Sequence, residues 1–391
     1  MMTALHRLLV SISSLRLTVV CLAAAFVLVL AGTLAQVREG LSIVQDQYFQ
    51  SWFVRIYPAP ESHGIPVFPG GHLIGAVLLV NLVAAHIRRF SWTWRKLGIQ
   101  LIHLGLIIML TGGLATDLFS VTSYMRLKGG ETRNFSESDT CTELVLTTPQ
   151  TADGDQVTAV PGEVLADGGS ITHASLPFKI VVKEFYPNSE LHLIGQENPA
   201  AERPAASNGA GNRIAITKRP RATAMNQRDT MSAVLEIIST KGGKSLGTWL
   251  VSMAMGQAQD FEVDGRPWSI ELRPSRYYKP YSLSLLEFTH ETYAGTGTAK
   301  NFSSTVTLAD PQHNETRQVK IWMNHPLRYL GDTYYQSGFE PDNSGTVLQV
   351  VRNPGYQAPY VACVIVALGL LIQFTYHLTG FVRRATTANA P

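Results

Sequence analysis

The stretch LGIQLIHLGLIIMLTGGLAT, Leu97 to Thr116, decides the fold class. It carries no charged side chain, and it has the roughly 20 residues that a helix needs to cross about 30 Å of hydrocarbon. A helix buried in a soluble domain would show an apolar stripe opposite a charged face, and none is present. Three more stretches read the same way: Leu17 to Ala35 (LTVVCLAAAFVLVLAGTLA), Phe68 to Ile87, and Pro359 to Leu378 (PYVACVIVALGLLIQFTYHL). The spacing predicts membrane-spanning helices over 17–36, 68–87, 97–116 and 359–378. In a rival reading the first block is a cleaved signal peptide ending at Thr33-Leu34-Ala35. Its apolar core exceeds the usual 7–15 residues or so, which favours a retained helix.

Loop charge orients these helices. Residues 1–16 hold Arg7 and Arg16, the 88–96 connection holds Arg88, Arg89, Arg95 and Lys96, and the 379–391 tail holds Arg383 and Arg384; none of the three contains an acid. Short loops rich in Lys and Arg stay in the cytoplasm. With four crossings, all three fall on that side. Both termini are then expected inside a bacterial cytoplasmic (inner) membrane, with the 37–67 loop and the 117–358 segment outside. The formal charge of +3 from 32 basic and 29 acidic residues is therefore a sum of opposite signs. It excludes a polycationic nucleic-acid binder.

From 117 to 358 the composition becomes ordinary and the pattern turns to short β-branched runs bounded by Gly and Pro. Expected strands include Phe178–Phe185, Ala233–Ile238, Val306–Leu308, Tyr281–Phe288, Gln318–Met323, Thr333–Gln336 and Val347–Val351. Phe261–Val263 and Trp268–Leu272 flank Asp264-Gly265 as a hairpin, its turn lengthened by Arg266 and Pro267. No long amphipathic helix is present. The expected fold is four transmembrane helices plus a large, mostly antiparallel β domain, built as a sandwich or a pair of sheets. Residues 195–212 (GQENPAAERPAASNGAGN) read as a flexible excursion.

Candidate chemistry is sparse. The three cysteines form no CxxC, so a thioredoxin-like pair and a haem-attachment CxxCH are both absent. Cys21 and Cys363 read as apolar filler, and Cys141 as a buried structural thiol rather than a redox contact. No nucleophile–base constellation supports an enzyme reading. In the third helix, Gln100 and His103 share a face, and Gly98, Gly105 and Gly112 form a seven-residue stripe for close helix approach. His103 lies about 9 Å from the cytoplasmic end at 1.5 Å per residue. An ionisable group at that depth faces the bundle or a cavity. It serves there as a ligand or relay, or as an interhelical hydrogen-bonding group whose partner is Asn81. His72, His86 and His377 read as interfacial residues, and His290 and His325 as surface or turn residues.

The order of features resembles the ResB (CcsB) family of the system II cytochrome c biogenesis machinery. The shared layout is three helices, a large external domain and a fourth helix. Local strings are similar too. They include Tyr48-Phe49-Gln50-Ser51-Trp52-Phe53, Ile65-Pro66-Val67-Phe68-Pro69-Gly70-Gly71, and Gly98-Ile99-Gln100-Leu101-Ile102-His103-Leu104-Gly105. In the external domain they include Lys279-Pro280-Tyr281-Ser282, Lys300-Asn301-Phe302-Ser303-Ser304, Met323-Asn324-His325-Pro326-Leu327-Arg328-Tyr329, Tyr335-Gln336-Ser337 and Val350-Val351-Arg352-Asn353-Pro354-Gly355.

The resemblance implies a non-catalytic subunit of a haem–cytochrome c synthesis complex. Such a subunit works with a CcsA/ResC-type membrane protein that carries a tryptophan-rich haem-handling motif. Together they bring haem b across the membrane and support its attachment to apocytochrome c. His103 is implied as one axial haem ligand, with Gln100 on the same face and the partner supplying the second ligand. The tryptophans of this chain do not form the partner's motif, which implies a chain not fused to it. The missing CxxC implies a separate thiol-reducing protein. The alternative is a membrane-anchored scaffold whose β domain docks apocytochrome, or another exported partner, without binding haem.

Overall fold

The computed structural model describes residues 9–56, 64–91, 93–151, 154–195, 201–222, 228–293, 295, 299–340 and 342–388. The chain divides into two compact units, one of residues 1–121 and 352–391 and one of residues 122–351.

The first unit holds the four long apolar helices: α1 (Leu15–Glu39), α2 (Gly71–Arg89), α3 (Leu97–Phe119) and α4 (Ala358–Ala388). Each is long and apolar enough to cross a membrane. Ser14 caps α1 by accepting from the Arg16 amide at 3.2 Å, and the helix ends at Gly40, whose φ of 88° suits a residue without Cβ. The segment after α1 is structured. A helical turn (Leu41–Val44) runs into a π-helical turn (Gln45–Phe49), and a hairpin of β1 (Phe53–Ile56) and β2 (Ile65–Pro69) follows; residues 57–63 lie outside the described residues.

Small residues set the closest helix contact. A Cβ on Gly98 would stand 2.7 Å from the Gly369 carbonyl oxygen, and one on Gly105 would stand 2.5 Å from Val366 Cγ2 and 3.0 Å from the Ala362 oxygen; Gly112 abuts Ala358. The stripe is thus the face on which α3 meets α4. Lipid offers no hydrophobic drive between helices, so backbone proximity of this kind supplies the packing. On the first pair, Asn81 of α2 is buried. Its Nδ2 donates to the carbonyls of Ile12 (2.5 Å) and Ser14 (3.1 Å), and its Oδ1 accepts from the Thr18 hydroxyl at 2.7 Å.

The second unit is almost wholly antiparallel. Its strands are β3 (Val121–Lys128), β4 (Thr132–Thr151), β5 (Gly154–Pro161), β6 (Gly169–Ile171), β7 (Phe178–Tyr186), β8 (Ser189–Leu193), β9 (Ile214–Lys218), β10 (Ser232–Ser239) and β11 (Ser245–Ser252). They continue as β12 (Gln259–Val263), β13 (Arg266–Thr292), β14 (Ala299–Asp310), β15 (Glu315–Trp322), β16 (Leu327–Tyr329), β17 (Asp332–Phe339) and β18 (Gly345–Arg352). The main sheet runs β15-β14-β13-β4-β3-β18-β17-β16, with β5 and β12 as branches. A short turn after Trp322 brings β16 and β17 back against β15, so this sheet is nearly closed on itself like a barrel. A second sheet, β11-β10-β7-β6, packs over the branched end.

The long strand β13 joins the two halves. Its first half pairs with β4 (Ile270↔Leu146, Leu272↔Leu144) and its second with β14 (Leu283↔Leu308, Leu285↔Val306). The expected hairpin is present but tighter than expected. Val263 pairs directly with Arg266, leaving only Asp264 (φ 52°) and Gly265 (φ 75°) in the turn. Two positive φ values match the right-handed twist of the flanking strands, so no lengthening is needed. The 195–212 stretch also differs from expectation. Residues 196–200 lie outside the described residues, but the rest is fixed: Ser207 and Asn208 donate backbone N–H groups to Thr248, and Glu202 bridges Ile216.

Two cores result. The sandwich core is built from Phe178, Ile180, Leu235, Ile237, Trp268 and Ile270, with the Phe178 and Trp268 rings edge to face at 5.1 Å. The barrel core is built from Met125, Leu127, Leu283, Leu285, Val306 and Leu348 around a polar centre. There Lys279 Nζ meets Asp332 Oδ2 at 2.9 Å, with side chains only 8% and 0% exposed. Tyr281 donates its hydroxyl to the same oxygen at 2.9 Å and accepts from Tyr334 at 2.8 Å. Burial, the neighbouring Tyr334 and the Asp332 carboxylate push the Tyr281 phenol far above its usual range, so it stays a donor.

Removing one member of a buried ion pair leaves the other uncompensated. Lys279→Met should therefore destabilise the protein by about 3–5 kcal/mol, seen as an early thermal transition of the detergent-solubilised chain. Arg317→Met breaks a half-exposed pair with Glu315 and should cost about 1 kcal/mol or less. Among the helices, Gly105→Leu should separate α3 from α4 and lower the melting temperature. Gly113→Ala, which meets nothing within 4 Å, should leave it unchanged.

Candidate functional site

The seven-residue connection between Arg89 and Leu97 makes α2 and α3 antiparallel neighbours. His86 lies three residues before the end of α2 and His103 six residues into α3, so both stand within about 10 Å of the shared end at 1.5 Å per residue. Their rings face each other across the pair, with centroids 6.3 Å apart and planes inclined by 57°. Phe90 packs edge-on to the other side of His86 at 5.8 Å. At 100° per residue, His103 sits about 160° around the helix from Gly105, away from the α4 contact.

Gln100, one turn earlier on α3, donates from Nε2 to the Arg89 carbonyl at 3.4 Å. It also lines a cavity of about 130 Å³ with Ser91, Thr93, Trp94 and Leu97. Three side-chain atoms here are buried without a hydrogen-bond partner among the described residues: His86 Nδ1, Gln100 Oε1 and Ser91 Oγ. Native proteins pair most buried polar atoms, so such a group of orphans marks a place where a ligand or water completes the bonding. The cavity admits waters or the edge of a larger molecule. Both imidazoles are only partly buried by the chain, which leaves ring edge open to a ligand. Neutral imidazole offers a lone pair to a metal or haem iron and can also pass a proton. Of the side chains here, only the imidazoles have the donor chemistry that haem iron takes.

Asn81, the sequence's candidate partner for His103, is spent on Thr18 and the Ile12 and Ser14 carbonyls. His86 takes the place beside His103 instead. It reads as interfacial because histidine at a helix end is commonplace. The signal that could have found it is the loop length, which puts positions 86 and 103 at similar depth on adjacent helices.

The other histidines serve elsewhere. At the far end of the same helix pair, His72 Nε2 lies 2.6 Å from Asp117 Oδ2, joining the first turn of α2 to the last turn of α3, with the Trp52 ring 6.1 Å away. His377 meets Gln373 one turn back on α4 at 2.8 Å. His290 lies within β13, half-buried and 4.2 Å from the Phe339 ring, while His325 stacks on Trp322 at 4.1 Å in a turn. Cys21 is buried. Cys141 is exposed rather than buried as expected. It falls in residues 138–141, the part of β4 left unpaired with β13 where Arg276↔Glu137 gives way to Pro274↔Thr142. Among the described residues no cluster of three or more His, Cys, Asp or Glu could hold a metal ion by itself.

A four-helix unit carrying a histidine pair, joined to a nearly closed antiparallel domain, defines a multi-pass protein of the membrane-anchored β-domain class. Residues 251–347 match the model of the ResB-like family. Over 112 residues the chain is 33% identical to Protein NrfI of Wolinella succinogenes, covering 29% of this chain and 12% of that protein. Over 164 residues it is 30% identical to the cytochrome c biogenesis protein CcsB of Synechococcus sp. (strain WH7803), covering 40% of this chain and 37% of that protein. A CcsB of Picosynechococcus sp. is 29% identical over 99 residues, covering 25% of this chain and 18% of that protein. The matches thus span well under two thirds of each relative's length. The expected resemblance to ResB and CcsB is borne out, in a chain whose 251–347 segment, from β11 to β18, is ResB-like in sequence.

Proposed function

We propose that this protein is a subunit of a system II cytochrome c synthesis complex, in which it receives haem at the cytoplasmic end of α2 and α3 and assists its delivery for attachment to apocytochrome c. The observation that carries this reading is His103: an ionisable residue inside an apolar helix, turned from the α4 contact and set 6.3 Å from a second imidazole. The ResB-like segment supplies the biological setting. Haem b is cargo here rather than a resident cofactor. His103 holds its iron through a neutral ring nitrogen, and Gln100 orients the site from the same helix face.

The bond-forming step lies outside this chain. The chain's part is to bind, orient and hand over. A CcsA/ResC-type membrane protein supplies the remaining haem-handling groups, and a separate thiol-reducing protein keeps the apocytochrome cysteines open to attack. In this reading both termini lie in the cytoplasm and the β domain lies outside, an orientation that the acid-free, basic 88–96 loop supports under the positive-inside rule.

In a strain lacking the endogenous protein, His103→Ala should abolish most mature cytochrome c while the variant still inserts in the membrane. Haem co-purifying with the complex should fall in parallel. Unchanged haem and unchanged maturation would instead support a docking scaffold that never touches haem. A membrane-impermeant maleimide applied to intact spheroplasts should label the exposed Cys141 but not a cysteine placed at Thr93. Labelling at Thr93 would invert the topology.

A further inference from the structure

We propose that the β1–β2 hairpin is a lipid-binding element: it lies in the headgroup–acyl boundary at the end of α1 and α2 opposite the basic 88–96 loop, with its apolar side chains against lipid.

Depth is the first support. α2 has 19 residues, about 28 Å at 1.5 Å per residue, so it only just crosses roughly 30 Å of hydrocarbon and its first turn stands at the boundary. The hairpin is tied to that turn. Gly70 donates its backbone N–H to the Trp52 carbonyl at 2.9 Å, and His72 donates its own to the Ser51 carbonyl at 3.2 Å. A Cβ on Gly70 or Gly71 would run into the Ser51 or Phe49 carbonyl, so the junction is tight. α1 gives the same level. Val44 and Phe49, on the way into the hairpin, abut Gly32. Gly32 lies about 10 Å short of the end of α1 at 1.5 Å per residue. The chain leaving α1 therefore turns back toward the bilayer instead of out into water.

The exposed surface is the second support. Trp52, Phe53, Ile56, Ile65 and Val67 are between 46% and 58% exposed. Only the base of the hairpin is covered, where Val54 and Phe68 pack with Ile74 of α2. Ile56 is two residues beyond Val54, on the same face, and pairs with Ile65 at the far end, so that face continues apolar where nothing covers it. A hairpin bathed in water keeps polar side chains on the face it does not pack. A contiguous apolar surface of this kind marks a contact. Its occupant follows from continuity: Leu34 and Val37 of α1 and Leu118 and Phe119 of α3, at the same end of their helices, are exposed apolar residues of the membrane-spanning segments.

The third support is the fit to an interface rather than to the hydrocarbon interior. An open two-stranded edge does not survive in the interior, where no water pairs its backbone groups. At the boundary it does, and Pro66 and Pro69, which have no N–H, remove two donors from β2. Tryptophan favours this zone. Arg55 is the one basic side chain between Leu41 and Ile56, and its long stem lets the guanidinium reach lipid phosphates while its neighbours stay in apolar surroundings. Anchored this way, the hairpin holds the first turn of α2 at one boundary and so sets its last turn, with Arg88 and Arg89, at the other.

Tryptophan fluorescence of the full-length chain, purified alone in phosphatidylcholine–phosphatidylglycerol nanodiscs, tests the proposal with lipids brominated near the headgroup end or near the methyl end of the acyl chains. The difference between wild type and Trp52→Phe isolates the Trp52 signal from the other tryptophans. That signal should be blue-shifted and insensitive to aqueous iodide. It should lose most of its intensity to bromine near the headgroups and less to bromine near the chain ends. Ile65→Trp in the Trp52→Phe background moves the reporter to the far end of the hairpin and should be quenched in the same order. Size-exclusion and circular-dichroism profiles like those of the wild type show that both variants are folded. A Trp52 signal that bromine leaves untouched overturns the proposal, and quenching by iodide in its place shows a surface left open for a protein partner. Quenching at Trp52 but not at Ile65→Trp also overturns it, because only the base of the hairpin would then touch lipid.

Discussion

The contact on which the membrane unit depends is the close approach of α3 to α4 along Gly98, Gly105 and Gly112. Inside lipid, helices gain little from hiding apolar side chains from one another, and tight packing at small residues replaces that gain. The stripe fixes the rotation of α3 about its own axis. With the glycines committed to α4, Gln100 and His103 must point away from it, where α2 carries His86. One geometric demand thus both closes the helix pair and aims the polar residues. A single Cβ at Gly98 or Gly105 would disturb both.

In the β domain the corresponding part is played by β13, which leaves one core and enters the other. Its first half presents Trp268, Ile270 and Leu272 to the sandwich core, and its second half presents Tyr281, Leu283 and Leu285 to the barrel core. Lys279 and Tyr281, two apart and so on one face of the strand, meet Asp332 at the start of β17. A buried ion pair gives little net stability over an apolar filling. Here it ties the middle of β13 to a strand far away along the sheet, with Lys279 and Tyr281 both on Asp332 Oδ2.

Much of this was legible in the sequence and some was not, for identifiable reasons. The four helices were legible because charge is absent over about 20 residues at a time, which no soluble helix tolerates easily. His103 was legible because it interrupts such a run. His86 was hidden because a histidine at a helix end is ordinary, and its meaning depends on the register of α2 against α3. The long strand β4 was hidden because residues 132–142 are mostly Ser, Thr and acids without alternation. β13 read as two strands because Arg273-Pro274-Ser275-Arg276 looks like a turn. In the structure Pro274 sits at a shift of register that leaves residues 138–141 unpaired with β13. That same shift exposes Cys141, which composition alone placed in a core.

The central claim is that histidines of this chain bind haem iron directly. Its most direct test is electron–nuclear hyperfine spectroscopy of the ferric haem complex formed by chain in which only histidine carries ¹⁵N. The account predicts a strongly coupled ¹⁵N imidazole nitrogen on the iron. An iron coupled to no labelled nitrogen would contradict it, because the haem would then be held by something other than this chain's histidines.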